Sequence, residues 1–244
     1  MVDNRLAFIQ RLLLPPVCLL CDTPVANSAT DLDICPDCLA ELSFVTGPRC
    51  CRCAVSLTAS SLGTDTPLIC GRCLRDPPDF DDVVPVFAYQ GLVARLIQGL
   101  KFNGRLSHAR LLGSLMGLSL RDSVLDLPEL LLPVPLHHRR LRERGFNQSL
   151  ELARHINRYV GHRQILTDTC VRQRYTISQA DLPARQRRRN VRNVFYCRTK
   201  IKNRHVAIID DVMTTGSTVD ELARVLKMAG AGRVVVWVCA RASH

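Results

Sequence analysis

The sequence predicts an α/β protein: a parallel sheet flanked by helices, with a small cysteine-knuckle module before it. Three observations predict it. Short apolar runs alternate with amphipathic stretches from Val83 onward, the pattern of a parallel sheet with crossover helices. Four Cys-x2-Cys pairs crowd into the first 73 residues. The run Val206-Ala207-Ile208-Ile209, apolar without alternation as in a strand buried on both faces, ends on Asp210 and Asp211. It then passes through Thr214-Thr215-Gly216-Ser217-Thr218 into an amphipathic helix.

Taken in order, the chain starts with Leu6, Ile9 and Leu13 on one helical face, stopped by Pro15-Pro16. This segment is expected to pack on its own protein. Contact with a membrane surface is the weaker reading, because the polar face carries little basic charge. Its apolar runs, Leu6 to Ile9 and Leu12 to Leu14, are short and no cleavage-site pattern follows, so no signal peptide is expected. The chain also lacks an uncharged apolar run of membrane-spanning length. A cytoplasmic location follows as the expectation, with association at the periphery of the inner membrane as its variant.

Nine of the twelve cysteines precede residue 74. Cys18-x-x-Cys21 and Cys35-x-x-Cys38 make one pair of knuckles, and Cys50-x-x-Cys53 and Cys70-x-x-Cys73 a second. Two intervening residues let both thiolates of a knuckle reach one Zn²⁺ at about 2.3 Å, and two knuckles complete a tetrahedron. Without an export signal the thiols are expected to stay reduced, so about two structural zinc ions are favoured over disulfides. A crossed pairing, with the first knuckle sharing its metal with the third, remains open. Cys51 has poorer spacing, and Cys170, Cys197 and Cys239 read as buried thiols.

Asp76 to Asp82, DPPDFDD, reads as a junction, giving a module over 1–78 and an α/β domain over 79–244. In that domain Val83 to Tyr89 reads as a strand and Val93 to Leu100, with Lys101, as a helix. Leu130 to Pro135 is another apolar strand. A loop with Arg139, Arg140, Arg142 and Arg144 follows, then a helix carrying Phe146, Leu150, Ala153, Ile156 and Val160. Ile165 to Cys170 and Val194 to Cys197 are further strand candidates. The helix after Thr218 has Val219, Leu222, Val225, Leu226 and Ala229 at helical spacing, and Val234 to Val238 completes the core. Apolar residues make up 47% of the chain, ample for a core of this length.

Charge divides unevenly. Residues 1–82 hold 6 Lys/Arg against 11 Asp/Glu, net −5, whereas residues 137–204 hold 18 against 4, net +14. A field of that size concentrates polyanions. The segment 172–195, too polar for a core, reads as a lid or nucleic-acid-binding excursion through Arg172, Arg174, Gln179, Arg187, Arg188, Arg189 and Asn190. The acidic knuckle module is a poor phosphate clamp by comparison.

The turn after Asp211 carries the most specific chemistry. Free N–H groups at a helix start, side-chain hydroxyls and the positive helix end converge on one phosphate. Carboxylates just before such a cup suit the cis-diol of a ribose. An ordinary capped turn would explain one hydroxyl, not two acids and four hydroxyls. The arginines at 139, 140, 142 and 144, at the same sheet edge, suit a pyrophosphate through bidentate contacts.

This stretch resembles the phosphoribosyl pyrophosphate (PRPP) signature of type I phosphoribosyltransferases. The resemblance implies that Asp210 and Asp211 hold the ribose hydroxyls and Thr214 to Thr218 the 5-phosphate, with Mg²⁺ accompanying PRPP. The chain as a whole resembles the competence protein F family of bacterial natural transformation and DNA utilisation. That likeness is carried by the knuckles, Leu100-Lys101-Phe102, Pro135 to Arg142, Arg144-Gly145-Phe146-Asn147-Gln148, Arg172, Arg174, Thr176, Gln179, Leu182, Arg187-x-x-Asn190-Val191, Phe195 and the PRPP signature. It implies a PRPP-binding fold used in handling single-stranded DNA, with proteins of the competence machinery as partners, and leaves turnover open. The alternative is a cytosolic nucleobase phosphoribosyltransferase that releases pyrophosphate. In purine-salvage members an Asp precedes the Thr-Gly of the loop. Here that position is Thr214, which speaks against a 6-oxopurine acceptor.

Overall fold

The computed structural model describes residues 16–25, 32–57, 68–176 and 189–242. The chain divides into two compact units, Met1–Leu42 and Ser43–His244. Within the second unit, Cys50, Cys53, Ala54 and Cys73 are buried in the same hydrophobic cluster as the strands of the sheet.

In the first unit, Cys35 caps the five-residue helix α1 (Pro36–Ala40), its Sγ accepting from the Cys38 amide at 3.4 Å. In the second unit the elements run α2 (Gly71–Arg75), β1 (Asp82–Ala88), α3 (Gly91–Asn103), α4 (Leu106–Ser123), β2 (Leu130–Pro133), α5 (His138–Arg144) and α6 (Gln148–Ile156). They continue with β3 (Gln164–Ile165), β4 (Cys170–Arg172), β5 (Phe195–Cys197), β6 (His205–Met213), α7 (Ser217–Met228) and β7 (Arg233–Arg241). The sheet has the order β1-β7-β6-β2-β3, with every pairing parallel. All its strands therefore end at one edge, where open α/β sheets bind ligands.

Side chains alternate across a strand, and β6 and β7 are buried on both sides. Val206, Ile208, Val234, Val236 and Val238 share a cluster with Val219, Leu222 and Leu226 of α7 and with the second cysteine group. The opposite face of the sheet carries α4 and α6. β4 and β5 stand apart as an antiparallel ribbon, Cys170 opposite Cys197, rather than extending the sheet.

Helix α4 has no counterpart among the elements expected from the sequence, and its glycines explain why. A Cβ on Gly113 would come 2.9 Å from the Leu152 carbonyl, and one on Gly117 3.1 Å from that of Ile156. Both residues weaken helix propensity, yet they let α4 lie against α6 backbone to side chain. The arginine-bearing stretch after β2, expected as a loop, is the helix α5, capped by His137, whose Nδ1 accepts from the Arg139 amide at 3.2 Å.

Candidate functional site

Strand β6 does not stop at Ile209. It continues through Asp210 and Asp211 to Met213, so both carboxylates stand on a rigid strand, 8% and 4% exposed. Asp210 Oδ1 accepts from the Asp211 amide at 3.0 Å and from Ser149 Oγ of α6 at 3.4 Å. Asp211 forms an ion pair with Lys101 near the end of α3. Burial first, and then the Asp211 charge, push the Asp210 carboxyl up to about 8. Burial opposes the Lys101 ammonium, but the Asp211 carboxylate more than compensates and its pKa is raised.

Beyond Met213 the chain turns through Gly216, which has φ +80° and caps α7. A Cβ there would meet only the flexible end of Met213, Cε at 2.7 Å, so it is the left-handed conformation that requires glycine at this position. Thr215 Oγ1 and Ser217 Oγ lie 2.8 Å apart, and the Ser217 amide donates to Thr215 Oγ1 at 3.4 Å. Asp210, Asp211, all five residues Thr214 to Thr218, Lys101, Arg140, Arg144 and Arg172 line one cavity of about 700 Å³. The acid pair and the hydroxyl loop thus share one cavity with three of the arginines named from the sequence, Arg140, Arg144 and Arg172.

The four arginines after β2 do not act alike, because they lie on a helix. Arg140 and Arg144, four residues apart, share the face that lines the cavity. Arg144 is anchored by Gln148 Oε1 at 2.5 Å, and burial lowers its pKa. Arg139 instead pairs with Glu143 at 3.1 Å and lies over the Tyr175 ring, 4.9 Å from its centroid; Arg142 is exposed on another face.

The residues expected in a lid also separate. Arg172 belongs to the cavity: it donates to Thr176 Oγ1 at 2.5 Å, and burial followed by the neighbouring Arg140 lowers its pKa to about 10. Arg174 ties the β4 end to the Arg192 carbonyl at 2.9 Å and the Asn190 carbonyl at 3.5 Å. Arg189 lines a separate cavity of about 530 Å³ with Arg192, Glu221 and Arg224. Gln179, Arg187 and Arg188 lie outside the described residues.

Lys101 enters the sequence reading through the Leu100-Lys101-Phe102 resemblance alone, with no role assigned to it. Its local physical signal is a lone lysine inside an apolar helical run, between Leu100 and Phe102. Phe102 and Phe146 line the cavity as well.

Each pair of knuckles closes on itself: Cys18, Cys21, Cys35 and Cys38 form one group, and Cys50, Cys53, Cys70 and Cys73 the other. Within a group all thiol sulfurs lie within 4.8 Å of one another. Cys21 and Cys35 Sγ are 3.6 Å apart, and Cys53 and Cys70 Sγ 3.7 Å. A tetrahedron with Zn–S of about 2.3 Å has edges of about 3.8 Å, so both groups fit Zn²⁺ with closed, structural coordination. The crossed pairing is not the one adopted, and Cys51 stays outside either group, exposed.

Fold and site together define a parallel α/β protein with a strand-loop-helix cup at one sheet edge and two N-terminal four-cysteine groups that fit zinc. A family model described as a double zinc ribbon domain matches residues 9–74. The chain is 38% identical over 234 residues to the DNA utilization protein YhgH of Escherichia coli O157:H7, covering 94% of this chain and 99% of that one. It is 36% identical over 180 residues to competence protein F of Haemophilus influenzae, covering 71% and 78%. Among solved structures it matches the purine phosphoribosyltransferase of Pyrococcus horikoshii Ot3 at a TM-score of 0.32 and 15% identity, over 53% of this chain and 80% of that one. The chain belongs to the competence protein F family.

Proposed function

We propose that this protein binds PRPP over Asp210, Asp211 and Thr214 to Thr218 and uses it in handling single-stranded DNA. The observation that carries the reading is one cavity shared by a buried acid pair, a hydroxyl-glycine loop at a helix start and three arginines. In this reading the Asp210 and Asp211 carboxylates accept from the ribose 2- and 3-hydroxyls. Thr215 and Ser217 hydroxyls and the first amides of α7 hold the 5-phosphate, and Arg140, Arg144 and Arg172 face the pyrophosphate. Lys101, paired with Asp211, holds that carboxylate in place until the ribose arrives. Mg²⁺, entering with PRPP, would neutralise pyrophosphate charge.

The DNA part rests on the net +14 of residues 137–204 and on the names of the relatives. Proteins of the competence machinery are the proposed partners. The cytoplasm is the proposed location, where thiols stay reduced, with the amphipathic start as the means of any inner-membrane contact. A second reading, transfer of ribose 5-phosphate to a nucleobase, is favoured by Phe102 and Phe146 in the cavity wall, which offer a planar acceptor a surface to stack on. Titration with PRPP and Mg²⁺, with ribose 5-phosphate as the control, tests the site: PRPP is expected to bind more tightly, and equal or absent binding contradicts the proposal. Pyrophosphate release across a panel of bases separates the two readings.

A further inference from the structure

The second four-cysteine group is joined to the phosphate loop from two sides. Helix α2 begins directly after Cys70 and carries Cys73, and Arg72 lies between these two ligands. Arg72 Nη1 donates to the Thr215 carbonyl at 2.8 Å. From the end of β7, Arg241, only 7% exposed, donates through Nε to the Cys53 carbonyl at 3.1 Å. Its Nη1 reaches the Met213 carbonyl at 3.0 Å and the Thr214 carbonyl at 2.5 Å. Three consecutive carbonyls of the loop are therefore held by guanidinium groups that are themselves seated on the knuckles.

Two physical consequences follow. In a trans peptide the N–H points opposite to the C=O, so fixing the carbonyls of Met213, Thr214 and Thr215 fixes the directions of the next three amides, those of residues 214 to 216. They set the path of the chain into Gly216 and so into the first amides of α7, which an anion at that helix head needs. The second consequence concerns charge. Arg241 is buried and its hydrogen bonds among the described residues all end on neutral carbonyls. Four thiolates around one Zn²⁺ carry a net charge of about −2, which supplies a compensating charge beside Cys53. A metal-free, protonated knuckle would supply none.

We propose that the Zn²⁺ held by Cys50, Cys53, Cys70 and Cys73 is a positioning metal for the phosphate loop, acting through Arg72 and Arg241, and that the Zn²⁺ of Cys18, Cys21, Cys35 and Cys38 is not. This deepens the PRPP reading and rests on it for the ligand, but not for the coupling itself. Arg72 is exposed, so Arg72→Ala tests the link without opening the core. In the full chain, Arg72→Ala is expected to keep two Zn²⁺ by elemental analysis and to speed hydrogen exchange at residues 213–217. It is also expected to weaken PRPP about three- to tenfold, the worth of an ordinary hydrogen bond, because Arg72 is exposed to solvent. Arg72→Lys, which retains a donor, should recover part of both. Cys21→Ser should lose one Zn²⁺ and leave both readouts unchanged. Unchanged exchange and PRPP affinity in Arg72→Ala, or equal losses in Cys21→Ser, overturn the proposal. If the wild type ignores PRPP, the ligand reading fails, and the exchange rates at 213–217 alone decide the coupling.

Discussion

Cys18, Cys21, Cys35 and Cys38 close their site within the first 42 residues, around a five-residue helix with no buried side chain. Cys50, Cys53, Cys70 and Cys73 use the same spacing, but three of the four sit in the hydrophobic cluster that also holds the central strands. Cys53 supplies a carbonyl to Arg241, and α2 reaches the phosphate loop through Arg72. Identical ligand motifs thus serve different ends. Coordination is local and follows from two-residue spacing, whereas what a metal stabilises depends on what the knuckle is packed against.

The largest expected effect breaks that comparison directly. Cys53→Ser should lower the main unfolding transition by roughly 4 kcal/mol or more, as loss of a buried metal does, while Cys18→Ser should leave that transition within about 0.5 kcal/mol. Calorimetric scans of both variants check this, and equal losses would make the clusters equivalent. Competition with a chromophoric chelator should release two Zn²⁺ per chain in two phases, the buried second site last. A single phase would remove the distinction.

A further contrast sets the acidic ribbon against the basic segment. Replacing Arg187, Arg188 and Arg189 with Ala should weaken single-stranded DNA binding and flatten its log–log salt dependence by roughly 2, at about 0.7 per phosphate contact. Cys18→Ser should not alter that slope. Gel shifts over a salt series measure both, and absence of any shift at low salt would contradict direct DNA binding.

The last contrast is a pH dependence that belongs to the cavity and to neither cluster. Asp210 has its folded pKa raised to about 8, above the unfolded value of about 3.9. The folded chain therefore holds the extra proton. That contribution to stability is fully present below about pH 4 and is lost as pH rises through about 8. Asp210→Asn should flatten the fall in thermal midpoint between pH 5 and 9, at roughly 2–4 °C per kcal/mol recovered. PRPP affinity in the wild type should rise over the same window as Asp210 ionises.

Much of the site was legible because its chemistry is contiguous. Asp210 to Thr218 and the Cys-x2-Cys knuckles each declare themselves within a few residues, and the parallel sheet follows from the apolar runs that precede them. What was hidden depends on partners distant in sequence. Gly113 and Gly117 disguise α4 as a helix-poor stretch until Leu152 and Ile156 are seen against them. The arginines at 139 to 144 look equivalent until the helical period of α5 turns Arg140 and Arg144 alone to the cavity. Lys101 is an ordinary lysine until Asp211, far along the chain, pairs with it. Nothing local marks Arg241, since its partners are backbone carbonyls.

The most direct test of the account is calorimetric titration of PRPP and Mg²⁺ into the wild type and into the Asp210→Asn/Asp211→Asn double variant. Each carboxylate removed is expected to cost about 1.5–3 kcal/mol of binding, so the double variant should lose most detectable affinity while retaining its two Zn²⁺ and its fold. Equal PRPP affinity in the two proteins would contradict the assignment of the acid pair to the ribose and, with it, the proposed function of the cavity.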